Sequence, residues 1–178
     1  MPSNIEIKAI LRNRAEGLAI AESLSTSGPE TIHQEDVFFH SEGARLKLRI
    51  FGPDRGELIR YQRADVADTR SSTYSIARTP DPYILLDILT ATLGVRGIVK
   101  KTRTLYLVGQ TRVHIDQVEN LGDFLELEVV LRPGQTEVEG TGIAESLLAC
   151  FQIGKQDLIG EAYIDLLNRR NQSNHATL

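Results

Sequence analysis

Polar and apolar residues alternate strictly along Asn4, Ile5, Glu6, Ile7 and Lys8. A strand here has Asn4, Glu6 and Lys8 on one face and Ile5, Ile7 and Ala9 on the other, because strand side chains alternate with period two. Residues 14–24 change to helical spacing, with Ala15, Leu18, Ala19 and Ala21 or Leu24 on one side, and Ser27, Gly28 and Pro29 form the turn behind them. Over 31–63 the period returns to two in three runs, 32–39, 45–50 and 57–63. Gly43 and the segment 51–56 supply the reversals, which predicts an antiparallel meander.

Residues 64–72 are polar without periodicity and are read as an exposed loop, followed by a short strand over 73–79. Asp81 and Pro82 then form an N-cap and first helical position, Leu85, Leu86, Leu89 and Leu93 line one side, and Gly94 ends the helix. Strands are predicted over 97–108, 111–118 and 123–132, with turns at 109–110 and 119–122. Two helices, about 136–151 and 156–169, are separated by Gly154, and 171–178 is expected to be a disordered tail. Some eight strands and four helices joined by short turns predict one α+β domain over 1–170, an antiparallel sheet or barrel with helices packed outside.

The chain has 178 residues, enough to bury a core without disulfides. A net charge of -4 with 25% charged residues gives no global nucleic-acid signal, so any basic patch is local. The single cysteine, Cys150, excludes an intramolecular disulfide, and its apolar neighbours Leu147, Leu148 and Phe151 predict a buried thiol. With no leader-like N-terminus and no apolar run near the roughly 18 residues that span a bilayer, the expectation is a cytoplasmic protein with no membrane partner. An aliphatic stripe left uncovered by helices would offer a homodimer surface.

Charge changes the picture of the sheet. Every second residue is charged in Arg45, Lys47 and Arg49, in Lys101 and Arg103, in Arg112, His114 and Asp116, and in Glu126 and Glu128, while Leu46, Leu48, Val113, Ile115, Leu125, Leu127 and Val129 alternate with them. One wet face and one buried face is ordinary for an antiparallel sheet. Here the charges cluster by sign within strands and use arginine heavily, which suits bidentate phosphate contacts. If helices cover the aliphatic face and the sheet curls, the charged face becomes the inside of a tunnel. That lining holds Lys8, Arg45, Lys47, Arg49, Arg63, Lys101, Arg103 and Arg112 with Glu6, Glu57, Asp116, Glu126 and Glu128. Enclosed charges on this scale need compensation. Cations on several walls suit a triphosphate, and a smaller carboxylate set suits the hard divalent ion that accompanies one.

These residues resemble the CYTH superfamily, the triphosphate tunnel metalloenzymes. Asn4, Glu6 and Lys8 resemble its Glu-x-Glu-x-Lys signature. The stretches Arg45 to Arg49, Glu57 to Arg63, Lys101 to Arg103, Arg112 to Asp116, Phe124 to Glu128 and Ala162 to Leu167 resemble its later elements in order, over about 4–167. Within the superfamily the chain looks closest to class IV adenylate cyclase-like proteins. The resemblance implies an eight-stranded antiparallel β-barrel enclosing the tunnel. It implies that Glu6, Glu126 and Glu128 hold Mg²⁺ or Mn²⁺ with Asp116 near the metal, and that Lys8 acts on the reacting phosphoryl between metal and cations. Arg45, Lys47, Arg49, Arg63, Lys101, Arg103 and Arg112 would grip the phosphates.

The implied reaction is ATP to cyclic AMP and pyrophosphate. A hydrolase of inorganic, nucleoside or thiamine triphosphate uses the same lining with water as nucleophile, and a non-catalytic polyphosphate or nucleotide binder is the third reading. Asn4 departs from the signature, since an amide oxygen is a weaker Mg²⁺ ligand than a carboxylate and a second metal would bind less well. Two side chains keep two readings each: His114 is a general base or a structural hydrogen-bonding residue, and Glu57 meets ligand or pairs with a neighbouring arginine. His33, Glu35 and Asp36 receive no assignment from the sequence.

Overall fold

The computed structural model describes residues 4–62 and 73–175; Arg63 and the expected loop 64–72 fall outside that range. The elements are β1 (Asn4–Ile10), α1 (Arg14–Leu24), β2 (Glu30–Phe39), β3 (Arg45–Gly52), β4 (Arg55–Gln62), β5 (Thr73–Thr79), α2 (Pro82–Leu93), β6 (Val95–Val108), β7 (Thr111–Val118), β8 (Gly122–Val130), α3 (Glu137–Cys150), a 3₁₀ turn (Lys155–Asp157) and α4 (Tyr163–His175). The strands form one eight-stranded antiparallel sheet in the order β1-β8-β7-β6-β2-β3-β4-β5. Among the described residues no ladder joins β1 to β5, so the sheet curls without closing.

The curl is visible in the electrostatics. Arg49 on β3 feels the charge of Glu126 on β8, although four strand steps separate them in the sheet. In a flat sheet they would stand about 19 Å apart, at about 4.8 Å per strand.

Alternation decides which side each helix covers. Val113, Ile115, Leu125 and Leu127 point outward and are buried against α1 and α3 together with Leu11, Ala21, Leu147, Leu148 and Phe151. Each such aliphatic contributes about 1.5–3 kcal/mol on burial. Gly140 lets α3 approach the sheet closely: a Cβ there would stand 2.8 Å from Ile5 and 2.4 Å from Leu131. On the other half, α2 lays Leu85, Leu86, Leu89 and Leu93 over Val37, Phe39, Leu48 and Ile50.

α4 goes to the opposite, concave side. The segment before it runs along the free edge of β1, with a bridge between Ala9 and Leu158 and the Ile159 amide donating to the Lys8 carbonyl at 2.8 Å. Crossing that edge brings Ala162, Tyr163, Ile164 and Leu167 onto Phe38, Val99, Val118 and Phe124, which all point inward. Gly97 makes room for the helix, since a Cβ there would lie 2.4 Å from Ile164 Cδ1.

Three expectations change. The helix predicted over 156–169 is a 3₁₀ turn and then α4, because Asp157 is drawn into the turn: it accepts from the Gly154 amide at 3.1 Å and from Arg12 Nη2 at 2.6 Å. α4 continues to His175, so 171–175 is helical. Cys150 is exposed, because the buried stripe of α3 runs through Gly140, Ala144, Leu147 and Leu148 and leaves it to the side. No helix among the described residues is long and apolar enough to cross a membrane.

Candidate functional site

Register brings the charged side chains together. Across β1 and β8, Lys8 faces Glu126 and Glu6 faces Glu128. Across β7 and β8, His114 faces Glu126 and Arg112 faces Glu128. Asp116 faces Arg103 across β6 and β7, and Asp36 faces Arg49 across β2 and β3. All point to the concave side, where α4 forms the floor.

The centre is buried and its charges interleave. Asp116 has no exposed surface. It accepts from Lys101 Nζ at 2.7 Å, from Arg103 Nε and Nη2 at 2.6 Å each, and from the Tyr163 hydroxyl at 3.2 Å. Burial alone would raise the Asp116 carboxyl, but Lys101 and Arg103 outweigh it and hold the group below its ordinary range. Glu126 accepts from Arg103 Nη2 and lies 3.4 Å from Lys8 Nζ. Burial opposes its ionisation too, and Lys101, Arg103 and Lys8 keep it ionised. Arg103 is held charged by Glu126 and Asp116 against the cost of its own burial.

Lys8 is almost fully enclosed. It donates to the Glu161 carbonyl at 3.2 Å and sits 4.1 Å from the centroid of the Tyr163 ring. The segment leading into α4 thus fixes the ammonium proposed to meet the reacting phosphoryl. Burial pushes the Tyr163 hydroxyl well above its usual range, with Glu126 and Asp116 adding to it, so it is a proton donor throughout the physiological range.

A second buried group lies on β2 and β3. Asp36 accepts from Lys47 Nζ at 2.5 Å and from Arg49 Nε at 2.7 Å. Burial would raise the Asp36 carboxyl, but the two cations hold it far below its ordinary range. Lys47 is pushed down to about 8, chiefly by burial, with Asp36 opposing the shift.

At the more open end, Arg112 Nη1 donates to both Glu128 oxygens at 3.1 Å, and Asn4 Nδ2 donates to Glu128 Oε1 at 2.5 Å. The Asn4 Oδ1 atom is buried with no hydrogen-bond partner. Glu6 and Glu128, which face each other in the strand register, supply carboxylates and Asn4 an amide oxygen, hard donors whose chemistry fits Mg²⁺ or Mn²⁺. As the side chains stand, no group of three or more acids, histidines or cysteines among the described residues is arranged to hold a metal ion. Glu126 is turned toward Lys8 and Arg103.

The remaining sequence candidates lie as follows. Arg45 pairs at 3.0 Å with Asp165, which also takes Arg96 at 2.6 Å, so Arg45 helps anchor α4. Glu57 lies 3.7 Å from Arg78, matching the arginine-pairing alternative. His114 is buried and pushed down to about 3, chiefly by burial and then by Arg103, so it is neutral at pH 7 and its 3.9 Å approach to Glu126 is no ion pair. Lys101 is likewise lowered by burial first and Arg103 second.

Asp36, Tyr163 and Asp165 carried no site role in the sequence reading. Asp36 is masked because Val37, Phe38 and Phe39 are consecutive apolar residues: Phe38 packs inward against α4 while Val37 and Phe39 go out under α2. The signal was its place two residues before Phe38. Tyr163 and Asp165 reach the site only because α4 crosses to the concave side, which no local pattern specifies.

Among solved structures, the fold is similar to the PH1012 protein from Pyrococcus horikoshii OT3, with TM-score 0.79 at 23% identity over 92% of this chain and 98% of that one. It is also similar to a proposed adenylate cyclase from Vibrio parahaemolyticus, with TM-score 0.68 at 19% identity over 93% and 98%. A third neighbour is a proposed adenylyl cyclase from Hippeastrum with a dominant triphosphatase activity, with TM-score 0.69 at 16% identity over 93% and 95%. No curated protein matches the chain. Residues 3–156 match the CYTH domain, and the chain belongs to the CYTH domain family.

Proposed function

We propose that this chain is a divalent-metal-dependent enzyme acting on a triphosphate, with the class IV adenylate cyclase-like conversion of ATP to cyclic AMP and pyrophosphate as its reaction. The observation that carries the reading is the convergence of Lys8, Lys47, Arg49, Lys101 and Arg103 on one buried lumen. Partial burial strengthens each contact to a phosphate oxygen, and a charge-assisted bond is roughly twice as strong as a neutral one. Arg112 at the open end guides the polyanion in.

Glu6 and Glu128, with Asn4 Oδ1, are the residues that would hold Mg²⁺ or Mn²⁺, and Glu126 joins them only by releasing Lys8 or Arg103. When bound, such an ion supplies Lewis-acid stabilisation of charge on the phosphoryl oxygens. The chain's own groups do the positioning. Lys101 and Arg103, held by Asp116, clamp phosphate oxygens. Lys8, held by the Glu161 carbonyl and the Tyr163 ring, neutralises charge that develops during transfer. In the cyclase reaction the ribose 3′-oxygen forms a bond to the α-phosphorus, the bond to the bridging oxygen breaks, and pyrophosphate leaves.

Hydrolysis is the second reading, favoured by the dominant triphosphatase activity of the Hippeastrum neighbour. There, water replaces the ribose hydroxyl and attacks the terminal phosphorus, the bond to its bridging oxygen breaks, and the products are a diphosphate and phosphate. The test is incubation with ATP or inorganic triphosphate and Mg²⁺ or Mn²⁺, followed by quantification of cyclic AMP and phosphate. Cyclic AMP without phosphate release supports the cyclase, and phosphate from inorganic triphosphate supports the hydrolase. Neither product with either metal refutes an enzyme and leaves a polyphosphate binder.

A further inference from the structure

The two Lys-x-Arg motifs of the lumen are built alike. Lys47 Nζ stands 2.5 Å from Asp36 Oδ2, with Arg49 Nε 2.7 Å from Oδ1 and Nη2 2.9 Å from Oδ2. Lys101 Nζ stands 2.7 Å from Asp116 Oδ2, with Arg103 Nε 2.6 Å from Oδ1 and Nη2 2.6 Å from Oδ2. In both, the aspartate lies on the neighbouring strand directly opposite the arginine, Asp36 to Arg49 and Asp116 to Arg103. The strands alternate across the sheet as β7 with Asp116, β6 with Lys101 and Arg103, β2 with Asp36, and β3 with Lys47 and Arg49. Both aspartates are buried.

A buried ion cluster is weak evidence for stability, because apolar residues of similar volume often serve as well. The donor count points elsewhere. A lysine ammonium has three donors and a guanidinium five, and each aspartate takes one and two of them. Lys47 and Arg49 against Asp36 leave a net single positive charge, and so do Lys8, Lys101 and Arg103 against Asp116 and Glu126, a charge matched to one phosphoryl group of a polyphosphate chain.

We propose that Asp36 is a positioning residue that holds Lys47 and Arg49 as a preformed phosphate fork, on the pattern that Asp116 sets for Lys101 and Arg103. This rests on the triphosphate reading given above. Asp36 acts on direction and on charge. Its two oxygens fix the arginine plane and the lysine tip, and its negative charge keeps the buried Lys47 protonated. The groups facing Lys47 are Asp36 from β2, Arg49 from its own strand, Lys101 from β6, and the rings of Phe38 and Tyr61. Asp36 is the anion among them. With it, Lys47 is pushed down only to about 8; without it, burial, Arg49 and Lys101 act unopposed.

The experiment is calorimetric titration of inorganic triphosphate, with EDTA present so that nothing turns over, at about pH 6, 7.5 and 9. The proteins are the full chain, Asp36→Asn, Lys47→Met and the double variant. Asp36→Asn is expected to weaken binding about tenfold at pH 7.5 and clearly less at pH 6, where a larger share of Lys47 is protonated in both proteins. In the Lys47→Met background the same substitution should lose its pH dependence between pH 6 and 9, the smaller loss that remains reporting Arg49 alone. No loss at any pH, or a pH-dependent loss that persists in full in Lys47→Met, would overturn the proposal, and a loss equal at all three pH values would overturn the part assigned to charge. If Asp36→Asn does not fold, Asp36→Glu takes its place. Retention of the wild-type pH course supports the role of the charge, and a uniform tenfold loss overturns it. Failure of the unaltered chain to bind triphosphate would instead remove the triphosphate reading itself.

Discussion

Asp116→Asn should destabilise the fold by about 3–5 kcal/mol, the range expected when one partner of a buried ion pair is removed. The structure shows where the cost arises. Asp116 is fully buried and takes donors from Lys101, Arg103 and Tyr163. An amide keeps one acceptor oxygen and turns two N–H donors toward a site where four donor atoms already point. Arg103 retains its bond to Glu126, whereas Lys101 loses its 2.7 Å ion pair and keeps the more distant charges of Glu126 and Asp36 and the Tyr163 ring, 5.1 Å from its ammonium. Lys101 therefore escapes by releasing its proton, which from its ordinary 10.5 would cost up to about 5 kcal/mol at pH 7. Its lowered native pKa reduces that figure, so the estimate stays within the same range. For a chain of this length the melting temperature should fall by about 6–20 °C. Urea unfolding followed by circular dichroism, with calorimetry as a cross-check, measures the loss. The pH course gives an independent reading. Asp116 has its carboxyl lowered in the fold, so its contribution is complete above the ordinary value of 3.8 and is lost as pH falls through the lower folded value. Asp116 itself adds no pH dependence to the difference from about pH 5 to 7 and narrows it below about pH 4, while a Lys101 left neutral in the variant widens it as pH falls from 7. A loss under about 1 kcal/mol at pH 7 would refute the assignment of Asp116 as the buried counter-ion of Lys101.

Gly97→Ala should cost about 1–3 kcal/mol by overpacking, since the new methyl meets the Cδ1 end of the buried Ile164, which must shift; unchanged stability in urea would mean α4 does not seat where described. Tyr163→Phe removes the hydroxyl that donates to Asp116 but keeps the ring beside Lys8, so it should lose about 1 kcal/mol, and Tyr163→Leu should lose clearly more; equal losses would show that the ring contact contributes nothing. Asn4→Glu adds a third carboxylate beside Glu6 and Glu128, so the metal-free protein should melt lower and the rise in melting temperature on adding Mg²⁺ or Mn²⁺ should exceed that of the unaltered chain. An identical metal response would exclude Asn4 as a limiting ligand position.

The elements were legible where period and punctuation agreed. α1 and β7 fall where spacing placed them, and the proline start and glycine stop of α2 hold. The aliphatic stripes of β7 and β8 face outward under α1 and α3, as alternation required. The C-terminal region was less legible because its structure depends on long-range contacts: Leu158 and Ile159 take the edge of β1, and Asp157 is held by Arg12. Those contacts determine where the chain stops being extended and where α4 begins. A helical period over 156–169 carries no record of them.

The site shows the same division between local pattern and partner. Alternation placed Lys47, Arg49, Lys101 and Arg103 on one face, and that much followed from residue order. Their partners did not follow, because sorting charges by sign along each strand suggests separate cation and carboxylate walls, whereas register couples one strand's sign to its neighbour's. Asp116 and Glu126 are thereby committed to Lys101, Arg103 and Lys8, and Asp36 to Lys47 and Arg49. A tunnel of unpaired cations would carry a desolvation cost in every unliganded molecule. Distributing aspartates among the lysines and arginines lowers that cost and leaves each cation donors for a phosphate oxygen. On the triphosphate reading proposed above, an arriving substrate would add to an already oriented lining, and Lys8 and Arg103 would have to choose between Glu126 and the ligand. That competition is the point at which metal, substrate and Glu126 would be coupled, since Glu126 could join Glu6 and Glu128 in holding an ion only by giving up Lys8, which would then be free to meet the phosphoryl group.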